Sequence, residues 1–519
     1  MTSVTSAPSA APGRPGAPDG ARAWATLAVL CVSLLLVSLD NTVLNVALPT
    51  LVRDLHATDT ELQWIVDSYA IVFAGLLLVV GSLGDRLGRK WVFQAGLVLF
   101  AGGSAASAVS ASPGALIAAR AFMGVGAAGI MPSTLSILTN VFTDEYRRAR
   151  AIGIWSGTTG LGIAIGPIVG GWLLDHFWWG SVFLINVPIA VVGLVASVSL
   201  VPNSRRPAAP RPDPVGALSS VVGLSLLLWG IIEAPERSWS SPLVLGAIAA
   251  GIAVLTGFVL WERRCEHPML QLEFFANRRF SAAIASMSLV IFALMGALFV
   301  LTQYLQFSLG YDAFQTGLRI GPMALVILVV APASSLLVRL LGTKVVVFAG
   351  MAVISVGMAM LCSTTTSGSY MDAFPAFMLL GVGTGLAFAP STESVMGALP
   401  LEQTGVGSAT NSTALQVGGA LGVAVLGSLL NTRYQDRLVP LLAHQAVPGS
   451  VRHLILGSLG GAIGVAQAVG GTLGHALAGA ARGAFVSGLD LASLVGALAV
   501  AVGALVVAVV LPSRARRGS

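Results

Sequence analysis

The chain has 519 residues, of which 55% are hydrophobic and only 10% charged. Soluble proteins carry about 25% charged residues, so a large soluble enzyme is excluded and a polytopic membrane protein is expected. The net charge of +6 is spread over short loops between apolar runs and forms no basic patch of the kind nucleic acid requires.

Residues 1–22 are an Ala/Pro/Ser/Gly tail of disordered composition. The apolar run after it is too long for a signal-peptide core. Hydropathy then predicts fourteen spans, roughly 23–49, 62–83, 91–111, 114–140, 151–174, 182–201, 214–232, 242–261, 280–306, 314–338, 345–363, 373–398, 405–431 and 487–511. Basic residues crowd alternate connections: Arg86, Arg89 and Lys90; Arg147, Arg148 and Arg150; Arg205, Arg206 and Arg211; Arg263, Arg264, Arg278 and Arg279; Arg339 and Lys344; Arg514, Arg516 and Arg517. The positive-inside rule places these loops and both termini in the cytoplasm, which requires an even number of spans. The segment 432–486 is read as a long, Gly/Ala-rich external loop, either holding an interfacial helix or lying loosely outside. The histidines (56, 176, 267, 444, 453 and 475) fall in expected loops, and Cys31, Cys265 and Cys362 lie in separate segments. No disulfide framework, metal site or cofactor is indicated.

The chain repeats itself. Leu87-Gly88-Arg89-Lys90-Trp91-Val92-Phe93-Gln94-Ala95-Gly96 matches Leu341-Gly342-Thr343-Lys344-Val345-Val346-Val347-Phe348-Ala349-Gly350 at six of ten positions. Gly124-Val125-Gly126, leading to Pro132-Ser133-Thr134, is echoed by Gly381-Val382-Gly383, leading to Pro390-Ser391-Thr392. Two parallel six-span halves, 23–201 and 280–511, are therefore expected, with two linker spans inserted at 202–279 and a short cytoplasmic tail at 512–519. Such halves place a transport site between them near the membrane midplane.

Asp40 stands inside span 1. A carboxylate at a span centre costs ~2.5–3.5 kcal/mol on insertion scales, so it is a functional-site candidate by default. A low-dielectric surrounding disfavours the charged form of a carboxyl, the condition for exchanging a proton near neutral pH. The plainer reading is a bond to a neighbouring helix. Arg120 in span 4 falls at a depth similar to Asp40 by helix rise; it can steady the charged form of Asp40, or snorkel to the outer interface. Glu393 lies near the inner end of span 12 and is a second proton site, a gate, or a solvated span end. Arg319 is expected to snorkel, and Asp67 sits one turn inside the outer boundary of span 2.

Gly81-Ser82-Leu83-Gly84-Asp85-Arg86-Leu87-Gly88-Arg89-Lys90 is the most specific signal. Gly81, Gly84 and Gly88 allow a tight turn and close helix approach. Asp85 can face a helix N-terminus, and Arg86 and Arg89 can pair with acids on a neighbouring helix, a latch that holds one conformation. No Gly-Lys-Ser/Thr follows, so ATP-driven pumping has no support. Span 5 carries Gly162, Gly166, Pro167, Gly170 and Gly171, a flat surface for tight packing with a proline that removes a helix hydrogen bond. Asn41, Asn45, Gln303, Tyr304 and Gln306 either line a substrate cavity or bond between helices.

With these residues the chain resembles the fourteen-helix drug:proton antiporters of the major facilitator superfamily, along nearly its whole length after residue 22. Leu39-Asp40-Asn41-Thr42, with Asn45-Val46-Ala47-Leu48-Pro49, is similar to that branch's span-1 motif. Gly81 to Lys90 resembles the superfamily's loop signature, and Gly162 to Gly171 the antiporter motif. Phe183-Leu184-Ile185-Asn186-Val187-Pro188 and Gly405-Val406-Gly407-Ser408, with Gln416-Val417-Gly418-Gly419, resemble further family stretches. Departures are Met123 where the family usually has Gln, Gly180 where an Arg often follows a Trp, and Leu415 where an Arg is frequent. The resemblance implies an all-α, multi-pass monomer of the bacterial cytoplasmic membrane that is not an enzyme. It implies export of a drug or antibiotic-like small molecule, driven by protons through Asp40 and Arg120. The rival readings are a nutrient symporter on the same fold and, less favoured, a polytopic membrane enzyme.

Overall fold

The computed structural model describes residues 20–205, 212–266, 268–366, 368–399, 404–443, 445 and 447–511. Of the expected tails, residues 1–19 and 512–519 lie outside the described residues, as do His267 and His444, whereas residues 20–22 of the expected 1–22 tail already belong to a helix. Fourteen helices among them are long and apolar enough to cross a membrane, and no strand occurs among them. In lipid, helices satisfy every backbone polar group internally.

The first half holds α1 (Gly20–Leu55), α2 (Asp59–Leu87), α3 (Arg89–Ala108), α4 (Pro113–Val141), α5 (Glu145–His176), α6 (Ser181–Leu184) and α7 (Asn186–Leu200). An inserted hairpin follows, α8 (Pro214–Arg237) and α9 (Pro242–Glu262). The second half holds α10 (Arg278–Gln303), α11 (Ala313–Leu341), α12 (Thr343–Met360), α13 (Tyr370–Met396), α14 (Thr404–Leu442), α15 (Gly449–Gly457), α16 (Leu459–Val469) and α17 (Gly471–Val510). Following the charge pattern, the end holding the 56–58 turn is called outer. Local chemistry sets the boundaries. Thr58 and Glu61 form a reciprocal capping box on α2. Ser112 caps α4 ahead of Pro113, and Asp213 caps α8 ahead of Pro214.

The sequence repeat is a repeat of geometry. Gly88 and Gly342 each end one helix and start the next with positive φ, +122° and +84°. Gly96 on α3 sits against Gly126 and Gly129 on α4, and Gly350 on α12 against Gly383 and Ala387 on α13. A side chain at Gly88 meets both a glycine-only backbone region and the amide of Asn203. Gly88→Ala is therefore expected to destabilise the protein by about 1–3 kcal/mol, read as a lower melting temperature in detergent; an unchanged melt would refute this account of the turn.

The segment 432–486 is not a loop among its described residues. α14 runs eleven residues past the predicted end to Leu442, α15 and α16 follow, and α17 starts at Gly471. The Tyr434 hydroxyl reaches the carbonyls of Ile455 (2.8 Å) and Ser458 (3.2 Å), which ties α14 to the two short helices. Gly460 seats this unit on Val52 of α1 and on Phe307. Glycine content lowers helix propensity, but tertiary packing overrides it here. His453 and His475 accordingly lie in helices, and His176 closes α5.

The two halves meet at the outer end. Gln306 donates to the Val46 carbonyl (2.9 Å), and Ser428 on α14 donates to Gln63 on α2 (3.1 Å). Gly171 on α5 lies against Ala313 and Phe314 on α11, and Gly317 on α11 against Pro167. The same face of α5 continues inward through Gly160, Gly157 and Gly153, and there a Cβ would meet nothing within 4 Å. The halves thus close outside and part inside. The hairpin lies over one seam between them: Leu228 and Ile232 of α8 pack with Ala70 and Ile71 of α2 and Ala420 and Ala424 of α14.

Candidate functional site

α1 brings Asp40 into the packed centre of the first half, 2% exposed, and α4 brings Arg120 there, 1% exposed. Arg120 therefore does not snorkel. Its Nη1 donates to Asp40 Oδ2 at 2.5 Å. Its Nε donates to the Ile65 carbonyl (3.2 Å), and the guanidinium lies over the Tyr69 ring, 4.4 Å from the centroid. The second carboxylate oxygen of Asp40 accepts from Asn186 Nδ2 at 3.0 Å, and that amide also donates to Ser104 (3.0 Å). Charge is thus matched by charge, and both oxygens of Asp40 are bonded, as a buried ion pair requires.

Three partners escaped the reading of the sequence. Asn186 was visible only as part of a motif stretch, although a polar residue opening an apolar span is itself a signal. Tyr69 gave no signal, because an aromatic in a span is usually packing. Met123 stands where the family usually has Gln, yet its sulfur accepts from Ser107 (3.4 Å) and lies 3.8 Å from Arg120 Nη1. Replacing Asn186 with Ala leaves one carboxylate oxygen and the Ser104 hydroxyl short of a partner. A hydrogen bond to a charged group is worth about 1.5–3 kcal/mol, so Asn186→Ala is expected to lower the detergent melting temperature. Asn186→Asp should lower it further by setting a second carboxyl against Asp40; a melt equal to wild type in both variants counts against the geometry.

The other predicted residues are placed apart from this pair. Glu393 is exposed towards the inner end of α13, and its carboxylate has no hydrogen bond or ion pair among the described residues. In the latch, Arg89 opens α3 and meets an acid at the end of the preceding helix, α2. It pairs with Asp85 one turn back (2.7 Å) and donates to the Ser136 carbonyl of α4 (3.1 Å). Arg86 has no side-chain partner among the described residues. Gly81 and Gly84 face Pro132 and Ser133 of α4. In α5, Gly162, Gly166 and Gly170 seat Ser38, Thr42 and Val43 of α1, while Pro167 and Gly171 face α11. The span-5 motif therefore presses one helix onto both halves.

The polar residues expected along a cavity sit mainly in closed contacts. Gln303 and Tyr304 are fully buried, and Gln306 is 3% exposed. Tyr304 donates to the Thr365 carbonyl (2.9 Å), and Gln306 bridges to α1. Asn45 is buried and donates to the Asn41 carbonyl (3.1 Å), whereas Asn41 is half-buried. Arg319 stacks on Tyr311, 3.6 Å from its centroid. Asp67, expected one turn inside the outer boundary of span 2 and either solvated at the interface or facing a cavity, is fully buried. Among the described residues no group of three or more His, Cys, Asp or Glu is placed to hold a metal ion.

The sequence profile described as Major Facilitator Superfamily matches residues 30–423. The chain belongs to the major facilitator superfamily. It is 35% identical to the multidrug efflux pump LfrA of Mycolicibacterium smegmatis, over 94% of this chain and 96% of that protein. It is 35% identical to the tetracenomycin C resistance and export protein of Streptomyces glaucescens, over 80% and 77% respectively. Among solved structures, a bacterial homolog of the human lysosomal transporter Spinster, inward-facing and unoccupied, superposes with a TM-score of 0.65 at 16% identity, covering 96% of this chain and all of that one. That likeness concerns the fold.

Proposed function

We propose that this superfamily member is a proton-coupled antiporter that exports drug-like organic compounds across a bacterial cytoplasmic membrane by alternating access. The observation that carries the reading is Asp40, an acid in the core of a membrane helix, bonded to Arg120 and Asn186. Its exchange of a proton alters the pairing of α1, α4 and α7, the helices that must repack if the first half moves. The relatives named for multidrug efflux and antibiotic export support the substrate class.

In the outward-facing state Asp40 takes a proton, Arg120 is released and substrate leaves. In the inward-facing state Arg120 and Asn186 restore the carboxylate, the proton passes to the cytoplasm and substrate binds between the halves. The proton motive force is the only driving partner and no cofactor takes part. The chain acts as a monomer with both termini cytoplasmic, and it catalyses no bond chemistry.

The test is a susceptibility and ethidium-efflux panel in an efflux-deficient bacterium, comparing wild type with Asp40→Asn at equal membrane levels. Protection that a protonophore abolishes and the variant lacks is the expected result. Equal protection by the variant would move the proton role to Glu393. Uptake of a compound in place of efflux would replace the antiporter with the symporter.

A further inference from the structure

The inserted hairpin has its base at the inner end of the fold. Asp213 stands just before α8 and Glu262 closes α9, and both are buried, at 6% and 3% exposure. Asp213 caps α8: its Oδ1 accepts from the Val215 and Gly216 amides, each at 3.0 Å. Its Oδ2 accepts from Trp261 Nε1 (2.8 Å), which draws the end of α9 onto the start of α8. Glu262 Oε2 accepts from the Leu270 amide (2.9 Å), in the connection to the second half. Two residues on, that connection enters a short 3-10 helix (Leu272–Ala276), whose Phe274 is buried with Phe280, Ile284 and Met287 of α10 and Val395 of α13. Glu262 thus joins the hairpin to the inner end of the second half. On the other side, the segment before the hairpin is tied to the first half, where the Ser204 carbonyl accepts from the Arg89 amide (3.0 Å).

The two carboxyl groups face each other. A Cβ at Gly216 would meet Asp213 Oδ2 at 2.5 Å and Glu262 Oε1 at 2.6 Å, so the missing side chain leaves the space in which the two oxygens meet. The acids are hydrogen-bonded side chain to side chain. Carboxylates are acceptors only, so that bond needs a proton. Three N–H groups already donate to Asp213, whereas Glu262 Oε1 is buried and receives no donor among the described residues. The proton therefore sits on Glu262 Oε1 and is donated to Asp213 Oδ2.

No cation takes its place among the described residues. Arg205 before the hairpin, Arg263, Arg264 and Glu266 after it and Glu273 of the 3-10 helix are exposed, and Cys265 is half-buried. Arg206, Arg211 and His267 lie outside the described residues. The charges within α8, Glu233, Glu236 and Arg237, are at its outer end. On α2, which packs against α8, Asp85 is paired with Arg89 and Arg86 lies at the inner end. α14 is charged only towards its outer end, at Arg433, Asp436 and Arg437.

Two ionised carboxylates buried side by side repel each other and lose hydration, so this contact exists only while the proton is held. We propose that Asp213 and Glu262 form a pH-operated clasp at the inner side of the membrane: with one proton between them they fasten the inserted hairpin to the second half, and without it the fastening opens. At acidic pH the proton is present and the clasp is shut. As pH rises, hydroxide takes the proton and leaves as water, the two charges part, and Glu262 turns to solvent and frees the Leu270 amide. The clasp sets how tightly the strap between the halves is drawn, and it operates without substrate.

The experiment measures hydrogen exchange by mass spectrometry on the full chain in lipid nanodiscs, following peptides that contain Leu270 at acidic and alkaline pH. Glu262→Gln is the reference, because its amide donates to Asp213, its oxygen accepts from Leu270, and the intrinsic pH dependence of exchange is shared. The expected result is equal exchange in the two proteins at acidic pH and about tenfold faster exchange in wild type at alkaline pH. Equal exchange at both pH values overturns the clasp, and so does a difference that stays constant with pH, which a merely structural contact would give. If Glu262→Gln fails to reach the membrane, Asp213→Asn replaces it. Asn still caps α8 and its amide donates to Glu262, so the pH response should again be lost; a retained response overturns the proposal. Because no substrate is present, failure here leaves the Asp40 test intact, and failure of that test leaves this one readable.

Discussion

Asp40→Asn is expected to yield a protein that folds, reaches the membrane and no longer drives efflux. Asn fills the same volume and still offers an oxygen to Arg120, which keeps the Ile65 carbonyl and the Tyr69 face. What disappears is a group that changes charge. Moving one charge across 100 mV contributes ~2.3 kcal/mol, and a tenfold gradient needs ~1.4 kcal/mol. Loss of a single coupled proton therefore removes a gradient of more than tenfold, and ethidium accumulation should match cells without the protein. Arg120→Ala is expected to fail differently. It strands a buried carboxylate, a loss of about 3–5 kcal/mol, so its melting temperature should fall below that of Asp40→Asn. A melt for Arg120→Ala equal to wild type would contradict the buried pair, whatever the transport result.

Gly317→Ala is expected to push the transporter towards its outer-open form. A Cβ at Gly317 lands on the Pro167 carbonyl of α5, with the carbonyl carbon at 2.8 Å and Ile168 Cα at 3.2 Å. These are backbone atoms of the opposite half and cannot rotate away. Overpacking of this kind costs about 1–3 kcal/mol. The contact exists only when the outer ends touch, so the cost falls on that state alone. A shift of ~1.4 kcal/mol per tenfold then gives roughly ten- to hundredfold more outer-open protein. Gly171→Ala, which meets the Ala313 backbone from the other side, should act in the same direction. Maleimide labelling of a cysteine at Ala313 reads the effect in vesicles. Wild-type labelling in both variants would show that α5 and α11 do not form the gate.

Much of the fold was legible because hydropathy measures the transfer of a segment from water to lipid, and each span crosses by itself. The fourteen spans and the repeat around Gly88 and Gly342 came from such local signals. Asp40 and Arg120 could be matched in depth because helix rise is constant. The second partner of Arg89 was not legible: Asp85 lies only four residues away, but the Ser136 carbonyl became a partner only when α4 was set beside the α2–α3 turn. The helical course of 432–486 was hidden for a related reason, since its stability comes from contacts such as Tyr434 with Ile455 rather than from propensity.

By itself the sequence determined a membrane-spanning all-helical chain, two related halves, an acid and an arginine at one depth, and a glycine face in the fifth span. The tertiary structure decided the rest. It chose Asn186 and Tyr69 as partners of the central pair, folded Gln303, Tyr304 and Gln306 into closed contacts, and left the Asp67 carboxylate buried without a hydrogen-bond partner among the described residues. The reason is that hydropathy and spacing report what a helix carries and at what depth, whereas hydrogen bonding depends on the rotation of each helix and on which neighbour stands beside it. Those are set only when all the helices pack together.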